Sequence, residues 1–270
     1  MLVGSGTVLD LGKLAITLGV GGITALTPRS VHPVLLAGLA RAGALVRRGQ
    51  LDELACLMGD QFPDTTLEER RQIAFEMRTV RIEHAMCRGY GAFRRGWPAR
   101  ITTTGADHLR TARAEGRGVV IWVMTFLDLT PINLAAAEQG CPITHLSSRT
   151  HGLSDSGPIS RRVVAPVILR SEKRSQRQRV IIPPGGGYAY LRKLQSVIEE
   201  DHGTVSIRGD STHGRLMIEA PYLGGTASYP TGAPSLAHRT GAPLLTAATI
   251  RKGPLDHEVI IDEPIAVRRD

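Results

Sequence analysis

The sequence predicts an α/β protein with a mixed, mostly parallel central sheet flanked by helices and a helical N-terminal cover. Two observations carry this expectation. From about residue 99 onward, short apolar, β-favouring runs alternate with segments of helical spacing, the pattern of strands joined by crossovers. Before that point, apolar residues recur mainly at helix spacing. No internal repeat or long low-complexity linker divides the 270 residues. One domain over 1–270 is therefore expected, with a helical portion at 1–98 and the main sheet at 99–270.

In residues 1–60, Leu11, Leu14, Ala15 and Leu18 recur at helix spacing, and Gly19, Gly21 and Gly22 weaken the segment. Pro33 suits the start of a helix over Val34–Arg48, with a short helical turn over Asp52–Met58. Their apolar faces suit covering one side of the sheet, with a membrane contact as the alternative. Thr65 or Thr66, backed by Glu68 and Glu69, caps a long helix to about Arg88, loosened at its end by Gly89 and Gly91. Ile73, Met77, Val80 and His84 recur on one side of it. Glu83 and His84 are adjacent but point in different directions around a helix, so structural roles are expected for both.

Arg100–Thr104 reads as an edge strand and Asp107–Ala114 as a connecting helix. Val119–Val123 follows the turn Glu115–Gly116–Arg117 and is apolar throughout, as in a strand buried on both faces. Leu129–Gln139 forms the next helix, with Pro131 tolerated in its first turn. Ile143–Leu146, Val180–Ile182, Thr204–Arg208, Leu244–Ile250 and Glu258–Ile261 read as further strands. Tyr188–Glu200 and Thr231–Thr240 read as helices, the second closed by Gly241. Val163–Leu169 fits either a strand or a helix, and Tyr222–Leu223–Gly224–Gly225 is a turn.

Lysine and arginine total 33 against 25 acidic residues, a net charge of +8. Such a surface attracts phospholipid headgroups, a phosphorylated cofactor, an acidic carrier protein or nucleic acid. Aromatic residues make up only 4%, and neither a helix-turn-helix signature nor a basic–aromatic array is present, so nucleic acid is not favoured. Cys56, Cys87 and Cys141 form no CxxC pair, which argues against a disulfide framework or a zinc ribbon. His145, His151 and His213 are too scattered to establish a metal site, and no permanently bound cofactor is expected. No basic region precedes the first apolar stretch, and Leu14–Leu26 is too short to span a bilayer. A cytoplasmic protein, free or resting on a membrane surface, is the expectation.

Open α/β sheets place ligands beyond the carboxyl ends of their strands, which directs attention to three stretches. Thr125–Thr130 follows the central strand and holds Asp128, either a site acid or a solvated turn residue. Arg149 follows the next strand with directed donors suited to a phosphate, or stands as an exposed loop arginine. Arg208, Asp210, His213 and Arg215 gather beyond Thr204–Arg208. Gly185–Gly186–Gly187 fits neither GxGxxG nor the Walker pattern and suits a permissive turn. A GxSxG nucleophile elbow is absent as well.

The stretches ARAEGRGVVIWVMTFLDLTPINLA, ITHLSSRT, GTVSIRGDSTHG and APYLGGTASYPTGAPSLAHRTGAPLLTAATIR, the last being the most specific, resemble the bacterial lipid A lauroyl/myristoyl acyltransferases of the lysophospholipid acyltransferase superfamily. The resemblance covers roughly residues 65–265. That family carries His-x4-Asp or His-x4-Glu after its central strand, a histidine that takes the acceptor hydroxyl proton and an acid that orients it. Aligning GVVIW puts Thr125 at the histidine position and Thr130 at the acidic one, so both expected side chains are missing. A two-residue shift keeps Asp128 as the acid but leaves Val123 where the base belongs.

The resemblance implies a thioester donor, acyl-CoA or an acyl or peptidyl carrier protein, and a small-molecule acceptor. An amine acceptor eases the loss of the base, because a free amine is more nucleophilic than an alcohol. Thr125 then orients the acceptor or donates to the oxyanion while Asp128 receives or guides a proton. Asp210, which matches the family's later aspartate region, offers a second acid–base pair with His213. Thr130, Arg149 and Arg208 are the substrate-binding candidates. The expectation is an atypical acyltransferase forming an ester or amide in specialised metabolism. A peripheral phospholipid or glycolipid acyltransferase and an inactive acyl-ligand-binding or scaffolding protein are the alternatives.

Overall fold

A computed structural model describes residues 15–94, 96–148, 162, 164–183, 188–211, 214, 216–222 and 224–266. Its strands are β1 (Arg100–Thr104), β2 (Val119–Met124), β3 (Ile143–Ser148), β4 (Gln178–Ile182), β5 (Thr204–Arg208), β6 (Met217–Tyr222), β7 (Gly225–Pro230), β8 (Leu244–Gly253) and β9 (Asp256–Ile261). Its helices are α1 (Gly21–Leu26), α2 (His32–Val46), α3 (Arg48–Leu57), α4 (Leu67–Phe93), α5 (Ala106–Ala114), α6 (Thr130–Glu138), α7 (Ala165–Glu172), α8 (Ala189–Glu199) and α9 (Gly232–Thr240).

Seven strands form one sheet in the order β1–β9–β8–β2–β5–β3–β4, with β2 in the middle. β8, β2, β5, β3 and β4 run parallel, while β9 turns back on β8 and carries β1 with it at the edge. The apolar run predicted for β2 is buried on both faces because helices cover both. Val119, Ile121 and Val123 pack with Leu109 and Ala112 of α5 and Ile132, Ala135 and Ala136 of α6. Val120 and Trp122 face Leu194, Val197 and Ile198 of α8 and Leu236 and Ala237 of α9. Period-two alternation is invisible in such a strand, since neither face sees water.

α4 starts where the sequence predicts, at a reciprocal capping box: the Glu69 amide donates to Thr66 Oγ1 at 3.2 Å, and the Thr66 amide donates to Glu69 Oε2 at 2.7 Å. It continues to Phe93, past the two glycines expected to loosen it. Those glycines make contacts. A Cβ on Gly89 would lie 2.2 Å from Gly21 Cα, and one on Gly91 would lie 2.4 Å from Ser171 Oγ. Gly21, read from sequence as a weakness, is thus the matching half of a close crossing between α1 and α4.

The N-terminal helices lie on α4 rather than directly on the sheet. Leu36 of α2 joins Met86 and Cys87 of α4 in a cluster with Trp97, Ala99 and Leu255. Glu83, fully buried, ties α4 to the β8–β9 turn: it accepts from His257 Nε2 at 2.7 Å, the Leu255 amide at 3.0 Å and Arg251 Nε at 2.8 Å. Trp97 Nε1 donates to the other nitrogen of His257 at 3.2 Å. Leu255 itself has a left-handed backbone, φ 55°, which a bulky residue adopts only when its surroundings insist.

One element that the sequence leaves open is decided by the structure, and one differs from the sequence reading. Val163–Leu169, open between strand and helix, falls largely in α7, whose first turn includes Pro166. The turn after Met217–Ile218 joins β6 to β7 in a separate antiparallel pair. Ile218 stands opposite Tyr229 there, and Tyr222 opposite Gly225. Proline at 221 and 230 disguised these strands in the sequence, because a strand paired on one side alone tolerates residues without an N–H donor.

Candidate functional site

β2 ends at Met124, and the chain leaves the sheet through residues 125–129 before α6 begins. The two polar residues of this turn engage different partners. Thr125 turns to β5: its amide donates to Asp210 Oδ2 at 3.2 Å and its hydroxyl to Asp210 Oδ1 at 3.0 Å. Arg208 Nε donates to the same Oδ1 at 3.0 Å. The register explains the meeting, since Val123 pairs with Arg208 and Asp210 lies two residues beyond. Gly209 is required between them, because a Cβ there would sit 2.6 Å from Trp122 Nε1. With both donors committed to Asp210, Thr125 is left with hydroxyl lone pairs that suit receiving an acceptor's hydrogen rather than stabilising an oxyanion.

Asp128 turns the other way, onto α4, and is not the solvated turn residue of the plainer reading. Its side chain is 1% exposed. His84 Nε2 and Arg88 Nε, the latter at 2.9 Å, both reach Asp128 Oδ2. The Thr130 amide donates to Oδ1 at 2.6 Å, and Thr249 Oγ1 of β8 donates to the Asp128 carbonyl at 3.0 Å. Burial opposes the charge on Asp128, but Arg88, His84 and the Thr130 amide outweigh it and hold the carboxyl well below the usual carboxylate range. Asp128 is therefore an anion at neutral pH.

His84 is 27% exposed, and no described residue bonds its second ring nitrogen, Nδ1. An imidazole that donates from Nε2 to a carboxylate keeps its lone pair on Nδ1. Arg88 is also 4.0 Å from Glu172 of α7, which burial pushes up to about 7; Arg88 and Arg179 pull against that rise and Asp128 adds to it. His84 and Arg88 share one face of α4 at a spacing of four, one turn apart. The expected divergence of Glu83 and His84 is seen: Glu83 faces the β8–β9 turn and His84 faces Asp128. A structural role fits Glu83, and His84, for which the sequence reading gives the same role, contacts the Asp128 carboxylate.

The sequence candidates regroup accordingly. Thr125, Arg208 and Asp210 come together, and Asp128 forms a second cluster with Thr130 and with His84 and Arg88, which are absent from the candidate set. Thr130 is buried and serves through its amide. Arg149, His213 and Arg215 lie outside the described residues. His145 is buried in β3, its Nδ1 2.8 Å from Ser206 Oγ. Among the described residues, no grouping of histidine, cysteine and acids could hold a metal ion, and no helix is long and apolar enough to cross a membrane. Cys56, Cys87 and Cys141 are free thiols.

The sequence matches the family model for bacterial lipid A biosynthesis acyltransferases over residues 7–267. No curated protein matches it significantly.

Proposed function

Because the chain belongs to the bacterial lipid A biosynthesis acyltransferase family, we propose that it moves an acyl group from a thioester donor to an amine or hydroxyl acceptor, with His84 and Asp128 as its acid–base couple. The donor is an acyl-CoA or an acyl carrier protein. The single observation that carries this reading is the contact between His84, whose Nδ1 has no described partner, and an ionised, buried Asp128 just beyond the central strand. The family's histidine position holds Thr125 in this chain, and α4 supplies an imidazole from elsewhere.

The step runs as follows. An acceptor O–H or N–H gives its proton to Nδ1 of His84 while the oxygen or nitrogen attacks the thioester carbonyl carbon. The tetrahedral intermediate collapses, the C–S bond breaks, and the departing sulfur takes the proton back from the imidazolium. Asp128 keeps the Nε2 proton in place and stabilises the transient imidazolium, a role that requires it to remain charged, as Arg88 ensures. The Thr125 hydroxyl orients the acceptor from the opposite side of the turn. Arg208, partly exposed, has terminal nitrogens bonded by no described residue and suited to a donor phosphate.

The test is acyl transfer from a panel of acyl thioesters to mixed amines and alcohols, read by product mass and thiol release. His84→Ala should lower kcat by roughly 10²–10⁴-fold with a smaller effect on KM, and added imidazole should restore part of the rate. Asp128→Asn should lose rate without that rescue. A folded His84→Ala protein with wild-type kcat would refute the couple. Donor binding without turnover in the wild type would favour the second reading, a binding protein in which the buried Asp128–Arg88 pair only fastens α4 to the sheet.

A further inference from the structure

Arg88 has two carboxylates beside it, and the acid–base couple uses only one of them. Its Nε donates to Asp128 Oδ2 at 2.9 Å, while a terminal nitrogen lies 4.0 Å from Oε1 of Glu172, the last residue of α7. α7 is fastened to α4 at this point. Ser171 Oγ fills the space that a Cβ on Gly91 would take, and Arg174 donates to the carbonyls of Gly91 at 2.7 Å and Arg94 at 2.6 Å. Glu172 is thereby held against the helix that carries His84, with its side chain only 12% exposed.

This is an unfavourable place for an acid. Burial opposes its charge and the Asp128 anion repels it. The carboxyl end of α7, the negative end of the helix dipole, opposes it again. The charged groups that face it from the surrounding elements are Arg88 of α4, Asp128 beyond β2 and Arg179 of β4. A glutamine would fill the same volume without the cost of a buried charge. An acid that weakens the fold when ionised, and that shares an arginine with a reactive couple, is explained by the reaction better than by stability.

The chemistry follows from how one cation is divided. With Glu172 neutral, Arg88 faces the Asp128 anion alone. With Glu172 ionised, the same guanidinium faces two anions, and the cluster carries one more negative charge. That charge favours a proton on His84, whose Nε2 contacts Asp128. Glu172 itself exchanges no bond with the substrate. We infer that Glu172 is a positioning residue for the His84–Asp128 couple, its ionised form acting through Arg88 to strengthen His84 as the base that takes the acceptor's proton. The inference rests on the proposed function, but His84 can be probed without turnover, so the two are tested apart.

The first measurement is carbethoxylation of His84 by diethyl pyrocarbonate, which attacks the neutral imidazole, read by peptide mass from pH 5.5 to 9. The pH at which His84 becomes reactive should fall by about 0.5–1 unit in Glu172→Gln and return toward the wild-type value in Glu172→Asp. The second is acyl transfer over the same pH range. Wild type and Glu172→Gln should have equal kcat at pH 5.5, where position 172 is neutral in both. At pH 8.5 the variant should be slower by roughly 3–10-fold, with KM unchanged. A merely structural Glu172 would move neither the reactivity profile of His84 nor the pH dependence of that ratio. An unchanged His84 profile in Glu172→Gln overturns the inference, whether or not transfer is seen. A shifted profile in a protein whose wild type transfers no acyl group upholds the coupling and refutes the proposed function instead.

Discussion

Replacing Glu172 with glutamine should stabilise the protein at pH 8 and change it little at pH 5. The Glu172 side chain is 12% exposed and lies 4.0 Å from Arg88. Burial drives its carboxyl upward, Arg88 resists, the Asp128 anion drives it further and Arg179 resists again, leaving it at about 7 against an ordinary 4.5. A carboxyl raised on folding holds its proton more tightly in the folded state. Its contribution to stability is therefore fully present below pH 4.5 and is lost as pH rises through 7. Keeping the ionised form buried above pH 7 costs about 3 kcal/mol, a cost that a neutral amide of the same shape does not carry. Urea denaturation at the two pH values checks this. With a slope of about 3 kcal/mol/M for a chain of this size, the midpoint of Glu172→Gln should rise by roughly 1 M at pH 8 and hardly move at pH 5. Equal displacement at both pH values, or a less stable variant at pH 8, would refute the reasoning.

Two further substitutions test how the N-terminal layer is held. Gly89→Ala places a methyl group 2.2 Å from Gly21 Cα, so α1 and α4 must move apart by more than 1 Å to restore ordinary contact; a loss of about 1–3 kcal/mol in thermal unfolding is expected. Glu83→Ala leaves His257 Nε2 and the Leu255 amide without their acceptor and Arg251 with Glu76 alone, and should cost about 3–5 kcal/mol in urea unfolding. It should also loosen the β8–β9 turn, measurable as faster amide exchange at Leu255.

Much of the fold was legible because its signals are local. The Thr66–Glu69 box, the apolar run of β2 and Gly241 closing α9, with φ 70°, each depend on a few neighbouring residues. The glycines of α1 and α4 were harder. A glycine that weakens a helix and one that lets two helices touch look the same in one dimension. β7 was missed for a similar reason, since its strand character comes from pairing with β6.

The candidate site was half readable. Strand ends pointed to Thr125, Asp128, Arg208 and Asp210, but not to who meets whom. Asp128 pairs with a histidine 44 residues earlier, and no spacing rule reaches across that distance. The only available hint was that His84 and Arg88 lie one turn apart on a single helix face, behind a central motif lacking its own histidine.

Residue order was enough to establish the α/β class, the position of the central strand and the excess of basic residues. Each follows from short-range sterics, hydrophobic periodicity or composition. Packing settled the rest: that Asp128 is buried and charged, and that His84 faces it. Ion pairing and burial depend on which distant segments share a neighbourhood, and that is decided when α4 docks beside the carboxyl end of β2.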